Sequence, residues 1–177
     1  MIVVLLGTQN NSFHRLLDKI QQCIDDGSID EEIIVQSGGT KYQSKDMKIF
    51  NLIPKDELEK IIDEADLVIT HGGVGSIIMC LKKEKKIIAV PRLSKYGEHV
   101  NDHQMQIVEN FDKQGYIKGI VDLEDLPNTI KEVKEKFKPN KFVSNTDNII
   151  RIIEEFIEKE EKTKSKKTKM KKQKLKK

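Results

Sequence analysis

The chain has 177 residues, 37% hydrophobic and 34% charged, with a formal net charge of +3, which suits one domain with a real core. That charge hides two parts: residues 162–177, KTKSKKTKMKKQKLKK, hold ten lysines and no acid, and removing them from the 32 basic residues leaves 22 against 29 acidic ones, a body charge of −7 over 1–161. The two cysteines, Cys23 and Cys80, have no metal-ligand spacing and read as small apolar fillers of a reduced chain, which excludes a disulfide framework. No apolar run approaches the ~20 residues needed to span a bilayer.

In chain order, MIVVLLG reads as a fully buried strand, continuous in apolar character as a parallel sheet requires. Its apolar run is too short, and its flank not basic, for a signal peptide. A helix is expected from about Ser12, with Phe13, Leu16, Leu17, Ile20 and Ile24 at helical spacing and a stop at Asp25-Asp26-Gly27. EEIIVQSG and MKIFNLI are short strands, and Pro54 opens a helix through Ala65. DLVIT is the next buried strand, followed by a helix from about Val74 to Lys83. KKIIAVP is a strand stopped at Pro91, residues 101–114 a helix, YIKGIVD a strand, and Asp125–Phe137 a helix. A last helix is expected over 146–161, with Ile149, Ile152, Ile153, Phe156 and Ile157 on one face. Strands separated by helices predict a single Rossmann-like, doubly wound parallel sheet over 1–161. The lysine-rich 162–177 lacks the apolar content to fold and is expected to be disordered.

In such sheets ligands bind outside the carboxyl ends of the strands. That rule selects three loops: Gly7–Ser12, His71–Ser76 and Arg92–Gln104. In HGGVGS, Gly72, Gly73 and Gly75 let backbone approach a ligand, and a helix N-terminus beside them favours an anion, with Ser76 as a further donor. A tight, closely packed strand-to-helix turn explains the same glycines equally well. The spacing is neither a Walker loop nor a dinucleotide fingerprint. His71 is either a satisfied strand-end polar residue or a donor to a phosphate or sugar hydroxyl. PRLSKYGEHVNDHQ carries Arg92, Asn101, Asp102, His103 and Gln104, side chains suited to a hydroxyl-rich ligand, although Asn101 or Asp102 also serves as a helix cap. Gly7 and Thr8 close the first strand and form the opposite wall of the same cleft, and Asn11 or Ser12 can cap the helix that follows.

Taken together, THGGVGS, KKIIAVPR and YGEHVNDHQ closely resemble the C-terminal, donor-binding half of family 28 glycosyltransferases of the GT-B type, over about residues 66–115. One Rossmann-like domain where a complete GT-B enzyme has two is similar to the split forms. These are the small subunit of the dolichol-pathway N-acetylglucosaminyltransferase and the PssE-type bacterial subunits of exopolysaccharide and capsule synthesis, and the wording of PRLSKYGEHVNDHQ is nearer the bacterial group.

The resemblance implies that Gly72, Gly73, Gly75 and Ser76 cradle the diphosphate of a UDP-sugar donor, with His71 beside it. It implies that Asp102, His103 and Gln104 reach the sugar. It further implies transfer of a hexose to a lipid-linked saccharide, beside a membrane-anchored acceptor-side subunit that supplies the general base, with His71 the one candidate here. No bound metal or other cofactor is implied. The expected location is cytoplasmic, peripheral at the inner face of the membrane through that partner. One departure stands out: Met79 occupies the place of a glutamate that binds the ribose hydroxyls in many relatives. That departure favours the rival reading, a non-catalytic scaffold subunit of a membrane glycosyltransferase complex. For the tail, two readings stand: a solvated terminus, and attraction to an anionic membrane surface at up to ~1 kcal/mol per basic residue. Specific nucleic-acid binding is not expected, because no aromatics interleave its lysines and the body is acidic.

Overall fold

The structure, a computed structural model, describes residues 1–144. The helix expected over 146–161, the domain end at 161 and the tail at 162–177 lie outside the described residues. Within them, Met1–Phe142 forms one compact unit.

Six strands build one sheet: β1 (Ile2–Leu5), β2 (Ile33–Gln36), β3 (Met47–Phe50), β4 (Leu67–His71), β5 (Ile87–Val90) and β6 (Lys118–Gly119). All neighbours are parallel, in the order β3-β2-β1-β4-β5-β6. The central strands are apolar without alternation because both faces are covered: every residue of IVVL in β1 and IIAV in β5 is buried. Successive side chains then divide between the faces. Ile2, Val4, Ile33, Val35, Leu67, Ile69, Ile88 and Val90 meet α1 (His14–Asp25) and α5 (Leu126–Glu135). Val3, Leu5, Val68, Ile87 and Ala89 meet α2 (Lys55–Glu64), α3 (Val74–Lys82) and α4 (His103–Lys113). Each fully buried aliphatic side chain stabilises this sandwich by about 1.5–3 kcal/mol relative to exposure. Cys23 and Cys80 are buried free thiols, one on each side.

Three boundaries differ from expectation for local reasons. The first helix begins at His14, after Phe13, because the Phe13 N–H donates to Thr40 Oγ1 at 3.0 Å. The cap thus comes from the loop after β2, not from Asn11 or Ser12. The strand expected from YIKGIVD shortens to Lys118–Gly119, an edge pairing with Ile88 and Ala89 only, and a single 3-10 turn at Leu123–Asp125 precedes α5. His71, placed after DLVIT in the sequence reading, is itself the last residue of β4, paired with Val90.

The chain runs outward from β1 to β3, then returns to the other side of β1 for β4 to β6. The strand order therefore reverses between β1 and β4, and the crevice of an open α/β sheet lies at that switch.

Candidate functional site

His71 ends β4 at the switch point, and Gly7 follows β1 opposite it. A Cβ on Gly7 would lie 2.6 Å from His71 Cε1 and Nε2, and one on Gly73 would lie 2.2 Å from Nε2. The imidazole is therefore clasped between two glycines, and Gly7 also needs its positive φ of 77°. None of Gly72, Gly73 or Gly75 has a positive φ. The glycines of HGGVGS serve close approach, not an unusual backbone conformation.

His71 Nδ1 lies 3.3 Å from the Leu5 carbonyl oxygen, which can only accept, so Nδ1 carries the proton. Thr70 Oγ1 donates to the same oxygen at 3.3 Å. Burial pushes the imidazole pKa down to about 4, opposed by the hydrogen bond to Leu5 and helped by the positive charge of Arg92. The ring is neutral at pH 7, with its Nε2 lone pair toward Gly7 and Gly73. That corrects the donor role expected for His71: its free nitrogen accepts.

Gln104, at the start of α4, is buried, and its Oε1 accepts from Gly72 N at 3.1 Å and Arg92 N at 3.0 Å. A single amide oxygen thereby fastens the end of β4 to the end of β5. A Cβ on Gly72 would meet Gln104 Cβ at 2.8 Å and Val108 Cγ2 at 2.9 Å. The expectation of sugar contact from Gln104 now rests on its amide nitrogen alone.

Arg92, expected at the substrate, is instead 0% exposed. Its Nη1 donates to Asn11 O at 2.6 Å and Glu98 O at 3.2 Å, its Nη2 to Leu6 O at 2.8 Å, and its guanidinium lies over the Phe13 ring. It is an internal strut joining the β1 and β5 loops. Glu98, 3% exposed, anchors the same frame by accepting from Arg15 Nε and Nη2 and from Leu93 N, each at 2.9 Å. Asn11 Nδ2 adds a bond to Gly97 O at 2.8 Å.

Residues 94–97 and 100–103 of the β5 loop are exposed. Asp102 Oδ1 accepts from Ser94 N at 2.7 Å, which holds its carboxyl below the usual range. Asn101 Oδ1 accepts from His103 N, the first residue of α4, at 3.1 Å, while the N-cap position itself is held by Asp102. His103 Nδ1 pairs with Gln106 Oε1 at 3.2 Å, and Thr8 is exposed on the facing loop.

At the start of α3 the N-cap is Gly73, and no side chain caps the helix. Its first free N–H groups, on Val74, Gly75 and Ser76, face the edge where the helix dipole is positive. Gly75 differs from the other glycines, because a Cβ there would meet nothing within 4 Å. It lines an open cleft of about 390 Å³ between α2 and α3, with Glu59, Ile78 and Met79. A larger opening of about 860 Å³ lies on the opposite face, beside Arg15 and Lys19. Two of its cations are already ion-paired, Arg15 with Glu98 and Lys19 with Glu124. Its lining does not include the uncapped helix start, so the α3 side is the better site.

The site also uses residues that the three-loop rule passed over. A Cβ on Gly38 would fall 2.0 Å from Gly7 O, and one on Gly39 would fall 2.8 Å from Gln9 O. The loop after β2 thus lies directly under the first loop, and Thr40 caps α1 from there. The glycine pair of QSGGT, ending a strand, was the available signal.

The exposed large hydrophobics of residues 1–142 are Leu52, Val74, Tyr96, Val100, Met105 and Val121. Each lies in a connection or a first helical turn after the carboxyl end of a strand.

A parallel Rossmann-like sheet with a glycine-walled, uncapped helix start at its switch point defines an open α/β domain with an anion-favouring carboxyl edge. The chain belongs to the glycosyltransferase family 28 C-terminal domain family, whose model matches residues 1–177. It is similar to the UDP-N-acetylglucosamine transferase subunit ALG13 of Candida albicans, 28% identical over 107 residues, covering 60% of this chain and 30% of that protein. The Debaryomyces hansenii subunit of the same name is 29% identical over 122 residues, covering 62% and 53%. The chain thus spans about half, or less, of the length of these curated relatives. Among solved structures, the NMR solution structure of ALG13 is 20% identical with a TM-score of 0.55, covering 85% of this chain and 93% of that one. The crystal structure of Acinetobacter baumannii MurG is 16% identical with a TM-score of 0.55, covering 86% and 49%. The structural likenesses establish the Rossmann-like fold, and the family match makes it the C-terminal domain type of family 28 glycosyltransferases. Among the described residues no helix is long and apolar enough to cross a membrane, and no group of three or more His, Cys, Asp or Glu could hold a metal ion.

Proposed function

We propose that this chain is the donor-binding half of a two-component glycosyltransferase, holding a UDP-sugar at the carboxyl edge of its sheet. A second, membrane-anchored subunit supplies the acceptor side. The observation that carries this reading is a coincidence at one edge. The uncapped α3 start with its open Gly75 and the six exposed large hydrophobics of residues 1–142 all follow carboxyl ends of strands. The first feature suits a diphosphate, and the second suits a protein surface that covers it.

In this reading the N–H groups of Val74, Gly75 and Ser76 stabilise charge developing on the departing diphosphate. His71 offers a neutral Nε2 beside them, and the general base for the acceptor hydroxyl belongs to the partner. The donor is UDP-N-acetylglucosamine, because the similar subunits from Candida albicans and Debaryomyces hansenii carry that sugar in their names. The acceptor is a lipid-linked saccharide, and a dolichol-pathway setting fits those fungal relatives better than exopolysaccharide or capsule synthesis. The chain then works in the cytoplasm, held peripherally at the membrane by its partner.

Calorimetry on the full chain tests the donor half: UDP and UDP-N-acetylglucosamine are expected to bind. Absence of any UDP binding would overturn it and favour the scaffold-subunit reading. Robust sugar transfer to a lipid-linked acceptor by the purified chain alone would overturn the two-component claim.

A further inference from the structure

The larger opening, on the α1 side of the sheet, has no part in the site described above. It is a groove of about 860 Å³, within the roughly 300–1,000 Å³ of small-ligand clefts. One wall is α1, where Arg15, Lys19 and Gln22 line it at i, i+4 and i+7, a run of about 10 Å. The other wall is the connection 121–124 after β6, and the upper end is the β5 loop at Lys95 and Tyr96. Tyr96 is 55% exposed and Val121 45% exposed, so an aromatic ring and an aliphatic side chain border the groove.

The lining is nearly neutral, with Arg15, Lys19 and Lys95 matched by four carboxylates. Arg15 is held by the buried Glu98, and Lys19, only 8% exposed, donates to Glu124 Oε2 at 2.8 Å and to Gln22 Oε1 at 3.1 Å. A diphosphate would have to break these pairs, whereas an uncharged ligand leaves them in place. The same pairing fixes polar atoms without exhausting them. Lys19 occupies one oxygen of Glu124, which leaves Oε1 as an acceptor. The Glu124 N–H occupies Asp122 Oδ1, which leaves Oδ2. Gln22 is oriented through its oxygen, which leaves its amide N–H groups as donors. Donors and acceptors interleaved over a short run and bordered by apolar side chains match a sugar. Its hydroxyls both donate and accept, and its C–H faces are apolar.

We propose that this groove is a saccharide subsite, taking the uncharged sugar chain of the lipid-linked acceptor as that chain leaves the transfer edge. The role in transfer rests on the donor-half reading above, and the class of ligand rests on the groove alone. One loop serves both places: Lys95 and Tyr96 border the groove, and Gln104 past the other end of that loop accepts from Gly72 beside His71. The donor half thereby takes a share of acceptor recognition through α1 and the connection after β6.

The test is an amide NMR titration of the full chain with N,N′-diacetylchitobiose, an uncharged disaccharide, with and without saturating UDP. Amides of Lys19, Gln22 and residues 121–124 should shift, those of residues 74–76 should not, and UDP should leave the disaccharide affinity unchanged. Gln22 is exposed on a helix, where alanine is well tolerated. Gln22→Ala should therefore keep the melting temperature while weakening the disaccharide about fivefold, the scale of one hydrogen bond. Tyr96→Ala, at the upper end, should weaken it as well. Inorganic pyrophosphate should leave the groove amides unmoved. Absence of groove shifts at the highest soluble disaccharide concentration would overturn the assignment, as would wild-type affinity in both variants. Groove shifts with pyrophosphate in place of the disaccharide would make this an anion site and overturn it too. Disaccharide shifts confined to residues 74–76 and erased by UDP would place the sugar at the donor edge, which overturns the groove assignment and spares the donor-half reading. A chain that binds the disaccharide in the groove but binds no UDP would uphold the saccharide site and overturn the donor-half reading instead.

Discussion

The Nδ1 of His71 lies 3.3 Å from the carbonyl oxygen of Leu5, so the last residue of β4 is fastened to the last residue of β1 at the point where the strand order reverses. Burial drives the pKa of this imidazole from 6.5 down to about 4. Between those values the unfolded chain binds a proton that the folded chain does not, so stability rises with pH through that window. The contribution is fully present above pH 6.5 and lost as pH falls through 4, on the order of 3 kcal/mol. The melting temperature of the wild type is expected to fall more steeply from pH 6.5 to pH 4 than that of His71→Asn. NMR titration should find the ring neutral, with the proton on Nδ1, at pH 6. A ring that titrates near 6.5 would contradict the clasped, buried position.

The glycines of HGGVGS separate by what a methyl group would meet. At Gly73 it would strike His71 Nε2, and at Gly72 it would strike Gln104 and Val108. Gly73→Ala is expected to cost about 1–3 kcal/mol in urea denaturation, as overpacking does. Gly75 sits in the first turn of α3 with open space beside it. Gly75→Ala should therefore keep or raise stability, by up to about 1 kcal/mol, while weakening UDP at least about tenfold. Opposite signs for stability and binding at one position would separate a ligand-facing glycine from a packing one.

Arg92 is the most deeply engaged charge of the fold. Three backbone carbonyls, of Leu6, Asn11 and Glu98, depend on its guanidinium, and none of them lies on its own strand. Arg92→Met should destabilise the protein by about 3 kcal/mol or more, because buried acceptors lose their donors together. Arg92→Lys should rescue little, since a single ammonium cannot span three oxygens. Urea denaturation followed by circular dichroism measures both.

The sheet and its helices were legible in the sequence because parallel strands buried on both faces leave continuous apolar runs such as IVVLL and IIAV, and helices between them leave a different period. The location of the site was legible for a related reason: topology alone directs ligands to the carboxyl edge. Individual roles were less accessible. Arg92 and Gln104 belong to polar loop segments that read as ligand-facing, yet one lies entirely under the loops and the other uses its amide oxygen to join two strand ends. Whether a polar side chain points in or out of a loop depends on partners 81 to 86 residues away, as for Arg92 with Asn11 and Leu6, and no local pattern encodes that. The β2 loop escaped notice because the contact of Gly38 with Gly7 is likewise between distant segments.

The carboxyl edge gives the last expectation. Val100 is 83% exposed and Leu52 is 56% exposed, at loops that follow different strands. Neither has a packing role within the domain that would keep it apolar, and exposed apolar side chains gathered on one edge mark an interaction surface. Charged replacements there should leave the isolated domain intact, because surface substitutions away from packed features change stability by about 0.5 kcal/mol or less. Across a protein interface the same charge would be buried without a partner, and association should weaken by at least about tenfold. Val100→Glu and Leu52→Glu are therefore expected to preserve the melting temperature and UDP binding. Expressed in Candida glabrata cells whose own ALG13 subunit is repressed, wild-type chain should restore membrane-bound UDP-N-acetylglucosamine transfer, and the two variants should not. Full restoration by both variants would show that the apolar edge is not where the acceptor-side subunit docks. A loss of UDP binding in the isolated variants would place these residues at the donor instead.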